Sequence, residues 1–137
     1  GFQHAIIEYA RNVMGWRDAA HAETDTEGRM VIAPLSCSLV EKSDNIELRA
    51  NTLISRAYGR DSIEEGYHCS YGIAADFARE LEQGDLRVTG WDDDGEIRAV
   101  ELVTHPFFVA TLFQHERNAL EGRPAPLVHA FLRAASQ

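Results

Sequence analysis

At 137 residues, of which 45% are hydrophobic, the chain is long enough to form one globular core and too short for two independent domains. Its formal net charge of -9 and its isoelectric point near 5.0 argue against nucleic-acid binding, which depends on clustered Lys and Arg. No apolar run reaches the roughly 20 residues that cross a bilayer, and no basic segment leads into an apolar signal core. We therefore expect a soluble, cytoplasmic protein that binds neither nucleic acid nor a membrane.

The first half of the chain alternates between helical and strand patterns. Apolar residues at helical spacing predict a first helix that ends near Gly15, and a polar loop follows over 16–27. Further along, the patterns predict strands over 30–35 and 46–50, a helix over 53–58, a strand over 65–73 and a helix over 75–83. Gly59 and Gly84 follow the two helices, and glycine commonly ends a helix.

The second half carries a hairpin signal. Asp-Gly at 94–95 lies between alternating runs over 86–91 and 97–103, which is typical of a tight turn between antiparallel strands. The apolar run over 107–113 predicts another strand, and Pro126 begins a closing amphipathic helix over 127–135. This mixture indicates an α/β fold, with an open mixed sheet flanked by helices and a β-hairpin near its C-terminal end.

The cysteine and histidine residues show no metal-ligand spacing. Cys37 and Cys69 are expected to be reduced thiols, because a disulfide scaffold is usually a shorter chain with more cysteines. A structural zinc site needs four Cys or His ligands at recognisable spacing, and the sequence has none. His68 and Cys69 stay open as metal ligands or a redox pair, but a packed cysteine beside a hydrogen-bonded histidine is the simpler interpretation. We expect no metal and no cofactor.

Several separated motifs carry a resemblance to one family. The stretch GFQHAIIEYARNV over 1–13 resembles the segment that follows the catalytic cysteine in the amidotransferase domains of CTP synthases. The stretches LRVTG over 86–90, HPFFVAT over 105–111 and RPAPL over 123–127 follow in that family's order and spacing. The chain resembles the C-terminal portion of a class I glutamine amidotransferase domain of the CTP synthase type. It is most similar to small proteins related to the C-terminal region of CTP synthase.

The resemblance implies a flavodoxin-like sheet and a nucleophilic cysteine on a sharp turn two residues before Gly1. That thiolate attacks the side-chain amide of glutamine, and the positive end of the following helix stabilises the thiolate and the oxyanion. The whole range 1–137 is thus expected to be the C-terminal part of a single domain, without the N-terminal half that carries the nucleophile. Because half a sheet leaves apolar faces and a strand edge exposed, we expect that this polypeptide does not fold on its own.

The same resemblance implies substrate-binding positions. Gly1, Phe2 and Gln3 begin the helix after the nucleophile, and Gln3 and Glu23 fall on the family's glutamine-contacting Gln and Glu. A surface glutamine and a loop carboxylate are the alternative interpretation. Tyr71 is kept in register, but Ser70 stands where the family has an arginine that contacts glutamine. Because serine cannot grip a carboxylate with two parallel hydrogen bonds, this change weakens the case for glutamine as the ligand.

The family's catalytic triad ends in Phe-His-Pro-Glu, where this chain reads FQHE over 113–116. Glu116 keeps the residue that orients the base, but Gln114 occupies the position of the base itself. Since an amide takes up no proton near neutral pH, conventional glutamine hydrolysis should be badly impaired, and Gln114→His should accelerate it. His115 is a weaker candidate base, because alternation along a strand would point it away from the site.

Two functions stay open at this point. The first is an amidotransferase-like hydrolase or transferase that acts on glutamine or a related small amide, with the N-terminal half of the same domain as its partner. The second is a catalytically silent pseudoenzyme that binds a ligand or a regulatory partner, and a homo-oligomer is compatible with either. The predicted site residues should converge on one cleft at the start of the first helix, with Gln114 facing it and His115 facing away. Those that should converge are Gln3, Glu23, Tyr71 and Glu116.

Overall fold

The computed structural model describes residues 1–36 and 38–137, so Cys37 and any role for it lie outside the described residues. The helices are α1 (Phe2–Asn12), α2 (Leu53–Tyr58), α3 (Ala75–Leu81), α4 (Arg117–Leu120) and α5 (Pro126–Ala135). The strands are β1 (Ala19–His21), β2 (Arg29–Pro34), β3 (Lys42–Leu48), β4 (Ser62–Tyr67), β5 (Tyr71–Ile73), β6 (Leu86–Trp91), β7 (Ile97–Leu102) and β8 (Val109–Thr111). Within these ranges, no helix is long and apolar enough to span a membrane.

The described strands form two sheets. The three-stranded sheet has the order β1-β2-β5, in which β1 and β2 run parallel and β2 and β5 antiparallel. The five-stranded sheet has the order β4-β3-β6-β7-β8, and its neighbouring strands are antiparallel. The α/β class is confirmed, and the mixed pairing lies in the three-stranded sheet.

The hairpin predicted around the Asp-Gly turn is confirmed as β6 and β7. Gly95 has a φ of 79°, a left-handed conformation that costs glycine little. The Oδ1 atom of Asp92 accepts hydrogen bonds from the backbone N–H groups of Asp94 at 3.0 Å and Glu96 at 2.8 Å. These bonds satisfy the turn's own donors, so the turn is specified by residues within it.

Three other predicted segments differ from the structure. The single strand predicted over 65–73 is wrong, because β4 ends at Tyr67 in one sheet and β5 begins at Tyr71 in the other. The polar loop predicted over 16–27 contains β1, whose three residues are all buried. The strand predicted over 107–113 is reduced to β8, and the short helix α4 was not predicted. The division of 65–73 follows from pairing with β3 and β2, which lie elsewhere in the chain.

The hydrophobic core is one connected cluster that joins α1, α3 and both sheets. Ile6 of α1 and Phe77 of α3 are each 1% exposed. The three-stranded sheet contributes Val31 of β2 to this cluster, and the five-stranded sheet contributes Ile46 of β3 and Val88 of β6. The two sheets therefore share their buried apolar surface, and α1 is held rigidly against them.

Candidate functional site

The start of α1 forms one wall of the main cleft. Phe2, Ile6 and Tyr9 are buried at helical spacing, which fixes the helix while its first turn stays accessible. Gly1 is exposed at the N-cap and lines a cleft of about 530 Å³ together with Phe2 and Gln3. The segment 109–116 forms the opposite wall, and His68 and Cys69 complete it.

The side chain of Gln3 is held at both of its polar atoms. Its Nε2 donates to the backbone oxygen of Tyr71 at 3.2 Å, and its Oε1 lies 3.0 Å from Nε2 of His21. The backbone N–H of Glu23 donates to Nδ1 of His21 at 3.1 Å. Because Nδ1 accepts, the neutral ring of His21 carries its proton on Nε2 and donates it to Gln3. Gln3 is thereby locked in one orientation.

His21 was not singled out from the sequence as a site residue, although it is the centre of this network. Its side chain is buried, and its ring lies 5.4 Å from the ring of Tyr71. Its backbone N–H donates to Oδ2 of Asp25 at 2.8 Å, which closes the following turn. A histidine inside a polar stretch carries no spacing signal, so only the fold of the loop reveals its position.

The predicted substrate-binding residues divide into two groups. Gly1, Phe2 and Gln3 line the cleft, as do Gln114 and Glu116 of the triad segment. Glu23 and Tyr71 do not line the cleft, and they contact its network through backbone atoms, the N–H of Glu23 with His21 and the oxygen of Tyr71 with Gln3. Ser70 is turned to another partner, since its Oγ lies 3.0 Å from Oγ of Ser38.

The triad segment does not continue the strand that leads into it. β8 ends at Thr111, and the chain over 114–116 turns before α4 begins. The backbone N–H of Gln114 donates to the oxygen of Gly66 at 2.9 Å, which fixes this turn beside β4. The alternation that was expected to face His115 away from the cleft is therefore wrong, because both Gln114 and His115 line it.

His115 lies between two cavities. It lines the main cleft and also an adjoining apolar cavity of about 300 Å³, which contains Phe107 and Phe131. Burial lowers the pKa of His115, and the nearby charge of Glu116 opposes that shift more weakly. Its Nδ1 is buried and has no hydrogen-bond partner within residues 1–36 and 38–137. A neutral, poorly solvated imidazole with this environment is a weak proton acceptor.

A second histidine of the cleft, His68, is paired with a carboxylate. Its Nδ1 donates to Oε1 of Glu41 at 2.8 Å, and Arg117 donates to the same oxygen at 3.2 Å. The hydrogen bonds from His68 and then Arg117, with the charge of Arg117, lower the pKa of Glu41. This carboxylate is therefore ionised at neutral pH. Glu41 and His68 are 27 positions apart, so only the register of β3 and β4 could have predicted their contact.

The comparisons with known proteins agree on one family. No protein-family model matches the chain. The CTP synthase of Methanopyrus kandleri is 33% identical over 147 residues, which cover 99% of this chain. The CTP synthase of Pyrobaculum calidifontis is 31% identical over 146 residues, which cover 98% of it. The chain spans 28% of the length of each of these relatives, in their C-terminal part.

A solved structure shows the same fold. The glutaminase domain of Trypanosoma brucei CTPS, determined with bound acivicin, superposes with a TM-score of 0.90 at 24% identity. The match covers 99% of this chain and 57% of that one. The chain is homologous to the C-terminal part of CTP synthases. The resemblance read from the motifs and the class I amidotransferase fold are both confirmed.

Metal ligands and a redox thiol were the open interpretations of His68 and Cys69 in this cleft. In the part of the chain that the structure describes, no group of three or more His, Cys, Asp or Glu side chains could hold a metal ion. Burial raises the pKa of the Cys69 thiol more than the charge of Arg98 lowers it. Since the thiolate is the reactive form, this shift makes Cys69 a poor nucleophile.

Proposed function

We propose that this chain forms part of an amidotransferase-like site that acts on glutamine or a related small amide. In this proposal it belongs to a longer domain, whose N-terminal half carries the nucleophile. The proposal rests on one observation: Gln3, held at both polar atoms, shares one cleft with Gln114 and Glu116. Ligand-binding side chains are usually fixed in this way by neighbouring groups.

The N-terminus of α1 supports chemistry that develops negative charge. The helix has 11 residues, and Gly1 provides no side-chain cap for the free N–H groups of its first turn. These groups and the helix dipole favour an anion such as a thiolate or the oxyanion of a tetrahedral intermediate. Because Gly1 lines the cleft, a residue that precedes it in a longer polypeptide would enter at this point.

Two replacements argue for a changed substrate or a changed base. Gln114 cannot accept a proton from a nucleophile near neutral pH, so residue 114 is not the base. Ser70 is bonded to Ser38 and provides no positive charge for a carboxylate. We therefore propose that small amides without an α-carboxylate are better substrates than glutamine.

The same two replacements favour a second candidate function, a catalytically silent module that binds a small amide. Such a module would keep the Gln3 network, which does not depend on a proton acceptor at residue 114. The two functions differ in one measurable respect, because only the first releases ammonia from the bound amide.

The test uses the full-length polypeptide that its gene encodes. Ammonia release and calorimetric binding are measured with glutamine and with a panel of small primary amides. We expect release from at least one amide and slow release from glutamine. In this proposal the second N–H and the second lone pair of the Gln3 amide bind the ligand, so Gln3→Ala should weaken amide binding about tenfold by removing hydrogen bonds worth about 1 kcal/mol each. Gln83→Ala, at an exposed position after α3, is the matched control.

The outcomes separate the candidates. Binding that depends on Gln3, without ammonia release from any amide, would favour the silent module. If no amide binds and none is hydrolysed, the site itself is assigned incorrectly. Rapid hydrolysis of glutamine would contradict the argument from Ser70 and Gln114.

A further inference from the structure

The pair of His68 and Glu41 has the geometry of a general base with its orienting carboxylate. The antiparallel register of β3 and β4 pairs Lys42 with Tyr67, so the preceding and following residues, Glu41 and His68, stand opposite each other. The contact is therefore a consequence of strand pairing, although the side chains of His68 and Glu41 are 54% and 62% exposed. His68 also lines the cleft that contains Gln3 and Gln114.

The protonation state of the ring follows from its partner. A carboxylate only accepts hydrogen bonds, so Nδ1 of His68 must donate to Oε1 of Glu41 across the 2.8 Å contact. In the neutral ring this leaves the lone pair on Nε2. Within residues 1–36 and 38–137, His68 has no other side-chain hydrogen bond that would occupy Nε2. The ring is held with its basic nitrogen free.

The carboxylate is itself fixed. Arg117, the first residue of α4, donates to the same Oε1 at 3.2 Å and ties Glu41 to the triad segment. The backbone of Glu41 has a φ of 53°, which is uncommon for a residue other than glycine. Strained conformations of this kind are enriched at functional sites. The neighbouring turn is fixed as well, because Gln114 bonds to Gly66, two residues before His68.

The other histidines around the cleft are less suited to this role. Both ring nitrogens of His21 are engaged, one by Gln3 and the other by the N–H of Glu23. His115 has no carboxylate partner for its buried Nδ1 among the described residues. His68 is thus the histidine of this cleft that combines an oriented ring with a free acceptor.

We propose that His68 is the general base of this site and that Glu41 is its positioning residue. Together they would take over the roles that the family gives to the residues at positions 114 and 116. This proposal rests on the proposed amide chemistry. In the longer domain of the proposed function, the nucleophile would be a thiol next to Gly1, which lines the same cleft.

The proton balance of the reaction is as follows. Nε2 of His68 takes the thiol proton as the S–C bond forms at the amide carbonyl and the carbonyl oxygen becomes an oxyanion. The imidazolium returns that proton to the nitrogen as the C–N bond breaks, which releases ammonia and leaves a thioester. His68 then takes a proton from water while the hydroxide attacks the thioester. The C–S bond breaks, the acid is released, and the thiolate recovers the proton.

The test compares variants of the full-length polypeptide on the best amide of the panel. His68→Asn retains an N–H donor for Glu41 and removes the base, so kcat should fall about 10² to 10⁴-fold while KM changes little. Exogenous imidazole should restore part of the activity of His68→Ala. Gln114→His, added to His68→Asn, should also recover activity by placing a base at the family's position in the same cleft. His129→Asn, on the exposed face of α5, is the matched control.

The pH profile separates a chemical role from a structural one. If His68 is the general base, the pH dependence of the rate should differ between wild type and His68→Asn. Glu41→Gln should also change this pH dependence while leaving the fold intact. Other charged or titratable groups around His68 also affect the pH dependence of the rate, so each is substituted separately. These groups are Lys42, Cys69, His115, Glu116 and Arg117.

Each outcome decides the proposal. A loss of kcat in His68→Asn, with rescue by imidazole, supports it. If the wild type releases ammonia and the kcat of His68→Asn is within threefold of the wild-type value, His68 is not the base. The proposed function would still stand. A large loss in His115→Asn alone would assign the base to that residue instead. A wild-type polypeptide that hydrolyses no amide would overturn both proposals.

Discussion

At the scale of single residues, the site contains a side chain held in place by hydrogen bonds and two positions at which the residue differs from the family. Gln3 is fixed because His21 can donate only from Nε2 while Nδ1 accepts from Glu23. Gln114 and Ser70 are replaced relative to the family, and neither supplies the charge or basicity of the residue it replaces. Comparison with the family motifs predicted Gln3, Ser70 and Gln114 as site positions. It could not predict His21, because the position of His21 depends on how the loop folds.

The partly buried ring of His115 gives a prediction for stability. Burial lowers its folded-state pKa, so between that value and about 6.5 the unfolded chain binds more protons than the folded one. The contribution of His115 to stability is therefore full above about pH 6.5 and is lost as pH falls through the folded-state pKa. Urea unfolding at pH 5 and pH 7 should show a larger loss of stability on acidification for wild type than for His115→Gln.

Glu65 should change stability with pH in the direction opposite to His115. Burial raises the pKa of Glu65, against the effect of its hydrogen bond from Asn118, so its contribution has the opposite pH dependence. It favours folding at low pH and weakens as pH rises through its folded-state pKa. Because Glu65 is present in both proteins, the difference between wild type and His115→Gln isolates the histidine. An equal loss in both would show that His115 does not titrate as argued.

At the scale of elements, α2 depends on a carboxylate from another strand. Glu101 of β7 is buried, and its two oxygens accept from the backbone N–H groups of Leu53 at 3.0 Å and Ile54 at 3.1 Å. These N–H groups belong to the first turn of a six-residue helix, which would be marginal alone. The strand thus stabilises the start of the helix.

We expect Glu101→Gln to reduce the free energy of unfolding by about 1.5–3 kcal/mol, the usual contribution of hydrogen bonds to a charged group. The amide can accept with one oxygen but places an N–H donor against the second backbone N–H. Urea unfolding followed by circular dichroism measures the change. Glu64→Gln, at an exposed position in β4, should change stability by less than about 0.5 kcal/mol. A Glu101→Gln variant as stable as this control would show that the carboxylate does not support α2.

The elements that could be predicted from the sequence are those specified locally. Thr52 and Ser55 cap the start of α2, Gly59 ends it with a φ of 68°, and the predicted bounds are confirmed. The strand predicted over 65–73 failed because its division depends on pairing with β3 and β2, which lie elsewhere in the chain. The contact of His68 with Glu41 escaped prediction for the same reason. A period-2 pattern gives a face of a strand and not its register.

At the scale of the whole molecule, the candidate site lies where the chain passes from one sheet to the other. The three residues between Tyr67 and Tyr71 include His68, which lines the cleft, and Ser70. Gln3 bonds to Tyr71 in the three-stranded sheet, and Gln114 bonds to Gly66 in the five-stranded sheet. The geometry of the cleft therefore depends on the two sheets keeping their relative positions.

The two tryptophans of the chain report on the two sheets separately. Trp16 leads into β1 and packs against Phe77, with ring centroids 5.0 Å apart, whereas Trp91 ends β6. The sequence predicts that this polypeptide does not fold alone, whereas the shared core cluster and a length below about 150 residues predict a single cooperative unfolding transition, so a monomer that unfolds in one transition would contradict the first expectation. Trp16→Phe and Trp91→Phe each leave one reporter. In each variant, fluorescence and circular dichroism should give the same urea midpoint at a fixed protein concentration.

The same experiment also tests whether the 137-residue polypeptide associates with itself. Self-association would be one way to cover the apolar surface that is expected to keep the polypeptide from folding alone. Phe131 and Leu132 of α5 are 53% and 57% exposed, so association would cover apolar surface on this helix. Association would move both midpoints upward together as the concentration rises, because it couples folding to assembly. A Trp16 signal lost at lower urea than circular dichroism would show that the three-stranded sheet opens first. Gln3 would then lose its hydrogen bond to Tyr71 before the five-stranded sheet unfolds, and the shared core would not be the unit that holds the site together.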